Sequence, residues 1–161
     1  MFYDLAKKDD IGQLVDLRIA YLLSDHGSLS KVEEERVRRH LPGYFERKLG
    51  KELIAFVARE ENQILATAYL LIIEKPANLA LPNGLEGEVL SVYTKEACRG
   101  QGICTQLMKN LLAYGKEKGL CRINLKATKE GYSVYKKVGF EEIRQNYVDM
   151  RLELAKEAIF S

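Results

Sequence analysis

Arg99-Gly100-Gln101-Gly102-Ile103-Cys104 places two glycines one residue apart, between an apolar alternating run and an amphipathic helical pattern. Glycines where a strand turns into a helix leave backbone N–H groups bare at the helix N-terminus. Bare N–H groups, with the helix dipole behind them, suit a phosphate-bearing ligand. The pattern behind the turn repeats Ile103, Leu107 and Leu111 every four residues, flanked by Met108 and Leu112, so one stripe faces a core. Two other phosphate loops fail on spacing. A P-loop requires Gly-Lys-Ser/Thr, and here Gly102 is followed by Ile103-Cys104. A dinucleotide fingerprint needs a third glycine where Thr105 stands, and an acid closing the next strand. The competing reading is a plain strand-to-helix turn that holds no ligand. Further along, Tyr135 sits in Val-Tyr-Lys-Lys-Val-Gly-Phe. A phenol, with a reference pKa of ~10, stays protonated at neutral pH and can serve as a proton donor. As one of nine tyrosines it could equally pack a helix onto a sheet.

The elements that must carry these residues follow from periodicity. Phe2–Leu5 reads as a short strand. Asp9 and Asp10 cap a helix through Ile11, Leu14, Val15, Tyr21 and Leu22, which Gly27-Ser28 breaks. Ser30 begins a charged helix, Lys31–His40, which Pro42-Gly43 interrupts before a further turn over Tyr44–Leu49. Leu53–Arg59 and Gln63–Glu74 are strands joined by a hairpin at Glu60-Glu61-Asn62. Lys75–Gly87 reads as a loop. Strand Glu88–Thr94, helix Gly102–Lys118, strand Arg122–Lys126, helix Gly131–Lys137 and strand Glu141–Gln145 follow. Val148–Leu154 alternates like a final strand, and Ala155–Phe160 like a weak helical extension. Helices flanking a mixed sheet make an α/β (α+β layered) fold, read as one domain over residues 1–161.

Composition excludes several classes of function. The net charge of +2, with both signs mixed along the chain, gives no footprint for nucleic acid. Three cysteines without a CxxC indicate neither a disulfide framework nor a zinc knuckle, and His26 and His40 stand far in sequence from any ligand cluster. No metal is expected. The N-terminus lacks a signal-peptide design, and the run Ile64–Ile73 is far shorter than the ~20 residues that span a bilayer. A cytoplasmic, reduced setting with no membrane partner is the expectation. Glu33-Glu34-Glu35 and Arg36, Arg38 and Arg39 read as a solvated helix with i,i+4 pairs, or as acids that attract a cationic acceptor.

The stretch Glu86–Phe140 resembles the acetyl-CoA-binding core of the GCN5-related N-acetyltransferases, the GNAT family. Their pattern Gln/Arg-x-x-Gly-x-Gly/Ala aligns with Arg99, Gly102 and Cys104, the last departing from Gly or Ala. The runs Glu74–Asn78, Pro82–Gly84 and Val89–Thr94 also resemble a bacterial subgroup of the family. The resemblance implies a mostly antiparallel sheet with a central splay. It implies that Gly100, Gln101, Gly102, Ile103, Cys104 and Thr105 hold a pyrophosphate beside Arg99. Val92, Tyr93 and Thr94 would pair with the pantetheine arm as if it were an added strand. Tyr135 would stand beside the thioester sulfur as general acid. Glu88, eleven residues before Arg99, would take the amine proton, with Glu86 equally eligible and Glu74 next. As a regular strand, Glu88, Leu90, Val92 and Thr94 would share one face. The implied reaction is direct acetyl transfer from acetyl-CoA to a small-molecule or peptide amine, with a homodimer as the expected assembly. The alternatives are another acyl-CoA, or a non-catalytic CoA-binding module on the same fold.

Overall fold

Long alternating runs give the sheet its order. The computed structural model describes residues 1–155. Strands β1 (Phe2–Leu5), β2 (Leu53–Glu60), β3 (Gln63–Glu74), β4 (Leu85–Thr94) and β5 (Ile123–Asn124) lie side by side in chain order. The first four pair antiparallel, and β5 joins β4 in parallel. Helices α1 (Ile11–His26) and α2 (Lys31–Lys48) cover one face, and α3 (Ile103–Glu117) and α4 (Tyr132–Lys137) cover the other. Period two in β2 and β3 feeds both cores: Leu53, Ala55 and Val57 turn toward α1 and α2, while Ile54, Phe56 and Ala58 turn toward α3.

Parallel pairing of β4 with β5 covers only Gly87–Ile123 and Glu88–Asn124. Beyond Glu88 the two strands part, and this is the splay that the resemblance implied. It also corrects the expected strand Arg122–Lys126, since Leu125 and Lys126 lie beyond the last paired residue of β4. The pairing of β3 with β4 slips between Thr67 and Tyr69: Thr67 faces Tyr93, but Tyr69 faces Leu90. One extra residue therefore bulges in β4, and Ser91 adopts φ 52°. The regular strand expected over Glu88–Thr94 is thus broken at its centre. Leu90 and Tyr93 face the core under α1 and α2, whereas Val92 faces the core under α3.

Three further expectations are corrected. The second helix runs unbroken to Lys48 through Pro42. A proline inside a helix costs ~3 kcal/mol or more, and burial of Leu41, Phe45 and Leu49 along that stripe outweighs it. The loop expected over Lys75–Gly87 ends earlier, where Leu85 already begins β4. Residues Glu141–Gln145 and Val148–Leu154 form no strand. Tyr147, Val148, Met150, Leu152 and Leu154 are each more than four-fifths exposed. Alternation gave them a strand's pattern, but no strand pairs with them among the described residues. The extension expected over Ala155–Phe160 lies, from Lys156 onward, outside the described residues.

Candidate active site

The turn before α3 is built by two left-handed residues. Gly100 and Gly102 both take φ 78°, a region that side chains with a Cβ resist. Gly102 is the N-cap of α3, and no side chain caps the helix. The first N–H groups of the helix are therefore left for a ligand. Arg99 folds back on the strand end: its Nε donates to the Thr94 carbonyl at 2.9 Å, and its guanidinium lies 5.6 Å from the Tyr93 ring centre. This ties the glycine turn to the end of β4.

A cleft of 480 Å³ opens where β4 leaves β5. Val92, Tyr93, Thr94, Arg99, Gly100, Gly102, Ile103, Cys104, Thr105 and Tyr135 all line it. Gln101 sits exposed at the tip of the turn and is not part of the lining. Sequence reading missed the opposite walls: Tyr21, Ser24 and Asp25 from the end of α1, and Thr128–Gly131 with Val134 before and within α4. Only the pair Thr128 and Gly131 carried a local signal, a hydroxyl that accepts from the Gly131 N–H at 3.1 Å.

Tyr135 is 7% exposed, and its ring meets Phe140 edge-on at 6.1 Å. Burial pushes its pKa up to about 12, with Cys104 and Tyr21 adding to the rise. The phenol is thus protonated at any physiological pH. Its ring lies over Gly131, where a Cβ would stand 2.7 Å from Cε2 and 3.1 Å from Oη. Absence of a side chain there sets the position of the ring.

The bulge aims a donor into the same cleft. Thr67 Oγ1 donates to the Ser91 carbonyl at 2.9 Å, pointing that carbonyl toward β3. In a trans peptide the following N–H points the opposite way. The Val92 N–H is therefore directed to the side from which β5 has withdrawn. Cys104 is half-buried, and burial raises its thiol pKa, which disfavours a nucleophilic thiolate.

The two acids separate. Glu86 is 2% exposed and takes an ion pair from Lys75, a hydrogen bond from Arg122 Nε at 2.8 Å and another from Asn124 at 3.3 Å. Lys75 first, then Arg122, hold its pKa below the ordinary carboxylate value. A carboxylate so committed is a poor base, so its equal eligibility with Glu88 is corrected. Glu88 is half-buried, opposite Leu71 and Asn124, and does not line the cleft. Among the described residues no group of three or more His, Cys, Asp or Glu could hold a metal ion, and no helix is long and apolar enough to cross a membrane.

A family model for the acetyltransferase (GNAT) family matches residues 18–140, a span that contains the glycine turn, the bulge and Tyr135. The chain belongs to the GNAT family of acetyltransferases. A predicted acetyltransferase from Clostridium acetobutylicum, solved with acetyl-CoA, is 32% identical, covers 93% of this chain and 95% of that one, and superposes with a TM-score of 0.79. A GCN5-related N-acetyltransferase from Ralstonia eutropha shares the fold at 20% identity, with 92% and 97% covered and a TM-score of 0.73. A probable glucosamine 6-phosphate N-acetyltransferase 2 from Oryza sativa subsp. japonica is 32% identical over 98 residues, 58% of this chain. The matched region spans 57% of that relative's length.

Proposed function

We propose that this GNAT enzyme transfers an acetyl group from acetyl-CoA to a primary amine by direct attack in a ternary complex. The observation that carries the reading is that one cleft joins the bare N–H groups of the glycine turn, the Val92 N–H and the Tyr135 phenol. The turn binds pyrophosphate, Val92–Thr94 bind pantetheine as an added strand, and the Val92 N–H meets the oxyanion as the amine attacks the thioester carbon. The C–S bond then breaks. Tyr135, kept protonated by burial, donates its proton to the departing sulfur as general acid, and solvent reprotonates the phenolate. Glu88, outside the cleft lining but on the same strand as Val92, receives the amine proton only through intervening water.

The reading covers residues 1–161 as one domain, a cytoplasmic setting and the bacterial subgroup. The free cysteines Cys98, Cys104 and Cys121 suit a reduced compartment. A homodimer belongs to the same proposal, supported by the exposed apolar side chains from Ile143 to Leu154. Light scattering tests it: a mass twice that of the chain is expected, and a monomer at all concentrations removes it.

Calorimetry tests the cofactor site. Gly102→Ala and Gly102→Glu pay the same cost for a left-handed backbone, but only Glu adds a charge where phosphates sit. Acetyl-CoA affinity falls at least about tenfold further in Gly102→Glu than in Gly102→Ala, the equivalent of ~1.4 kcal/mol. Equal affinities in two folded variants would refute the loop's role.

A further inference from the structure

A second cavity, also of 480 Å³, lies between α1, α2 and the other face of the sheet. The apolar part of its wall is Leu22, Val37, Leu41, Phe45, Leu53 and Leu90. Arg18 lines it and is half-buried. Its Nη1 donates to the Ser91 hydroxyl at 3.2 Å, its guanidinium lies 5.3 Å from the Tyr21 ring centre, and no carboxylate pairs with it among the described residues. Tyr69 lines the same end. It is 3% exposed, and its hydroxyl makes no well-formed hydrogen bond among the described residues, although Ser91 stands close enough to pull its pKa down. Burial raises its pKa, which the nearby Arg18 and Ser91 only temper. A buried hydroxyl without a well-formed hydrogen bond is destabilising, and an acceptor atom from a ligand would relieve it. Arg36 and His40 also line the cavity, so its polar groups are cationic or neutral and no acid lines it.

The two cavities lie on opposite faces of β4, on either side of the buried Ser91 of the bulge. Leu90 lines one and Val92 the other, with Ser91 between them; Arg18 lines one and Tyr21 the other, one helical turn apart. An anion held by Arg18 therefore lies beside the Ser91–Val92 peptide, where the thioester carbon is to be attacked. Little chain can separate that anion from the reacting amine.

We propose that the acceptor is a free α-amino acid with an apolar side chain. Its carboxylate rests on Arg18 and the Tyr69 hydroxyl, its amine points through the bulge to the thioester, and its side chain fills the cavity under α2. The assignment rests on the acetyl-transfer reading and deepens it. Glucosamine 6-phosphate, named in the rice relative, has no apolar side chain to set against Leu22, Val37, Leu41, Phe45, Leu53 and Leu90.

The test measures thiol release from acetyl-CoA with leucine, leucinamide, isoamylamine and glucosamine 6-phosphate. Leucine exceeds both compounds lacking the carboxylate by tenfold or more in kcat/KM, and exceeds the sugar phosphate as well. Arg18→Gln reduces the leucine preference to within about threefold, while acetyl-CoA affinity by calorimetry stays within about threefold. Tyr69→Phe removes only the hydroxyl, and raises KM for leucine more than it lowers kcat. Equal or better turnover of leucinamide or of the sugar phosphate overturns the proposal, as does a leucine preference intact in both variants. Turnover of other amines with none of leucine overturns it and leaves the transferase reading standing. No turnover of any amine overturns both.

Discussion

At the scale of single residues, the site depends on where one phenol sits. Tyr135→Phe keeps the ring and its contact with Phe140, so packing is unchanged and only the donor is lost. The expected outcome is a kcat lower by ~10²-fold or more, with acetyl-CoA affinity within a few-fold, measured by thiol release and calorimetry. A wild-type rate would make Tyr135 a packing residue. Gly131→Ala asks the same question without touching the phenol. Gly131 is the N-cap of α4, and its φ of −82° is one that alanine adopts freely. Yet its Cβ would overlap the Tyr135 ring, which must move. Displacing the buried ring is expected to lower stability by about 1–3 kcal/mol, and kcat to fall by about tenfold or more with acetyl-CoA affinity retained, because a shift near 1 Å in a reacting group can cost up to ~10²-fold. Unchanged kcat would show that the ring has room to stay in place.

At the scale of elements, the bulge in β4 makes the site and was the feature least visible in the chain. Val89-Leu90-Ser91-Val92-Tyr93-Thr94 reads as clean alternation, and Ser91 is not a residue whose type announces a left-handed backbone. Its cause is tertiary: the Thr67 hydroxyl on β3 holds the displaced carbonyl. The glycine turn, in contrast, was legible, because φ 78° leaves few residues to choose from. Tyr21, Ser24 and Asp25 were not, since they reach the cleft only through the docking of α1. Thr67→Val is nearly isosteric and strands the Ser91 carbonyl in a buried site. It is expected to cost about 1–3 kcal/mol, read as a lowered Tm. The same peptide carries the Val92 N–H, so kcat is expected to fall together with Tm. Lost stability with kcat intact would remove Val92 as the oxyanion donor.

At the scale of the whole molecule, the sheet is a V whose closed end must stay closed while its open end forms the proposed acetyl-CoA cleft. Glu86 stands at the closed end. It binds Arg122 just before β5, and the Gly87 N–H donates to the Arg122 carbonyl at 3.0 Å. Lys75, from the loop after β3, joins the same carboxylate. Both cations are about half exposed, so the cluster is worth less than a fully buried pair. Glu86→Gln leaves shape and one acceptor but removes the charge. At pH 7 the expected loss is roughly 1–3 kcal/mol, a Tm lower by roughly 3–10 °C. The sign of the pH dependence follows from the depressed pKa. The folded state prefers the charged form, so this stabilisation is fully present above the unfolded pKa of ~4.3 and is lost as pH falls through the lower folded value. The Tm gap between wild type and Glu86→Gln is therefore constant from pH 7 down to about 5, and narrows below ~4.3. Thermal melts across that range measure it. A gap that stays the same at pH 3 and pH 7 would mean that the carboxylate acts there through shape alone, and that the closed end of the V is held by the backbone pairing of β4 and β5.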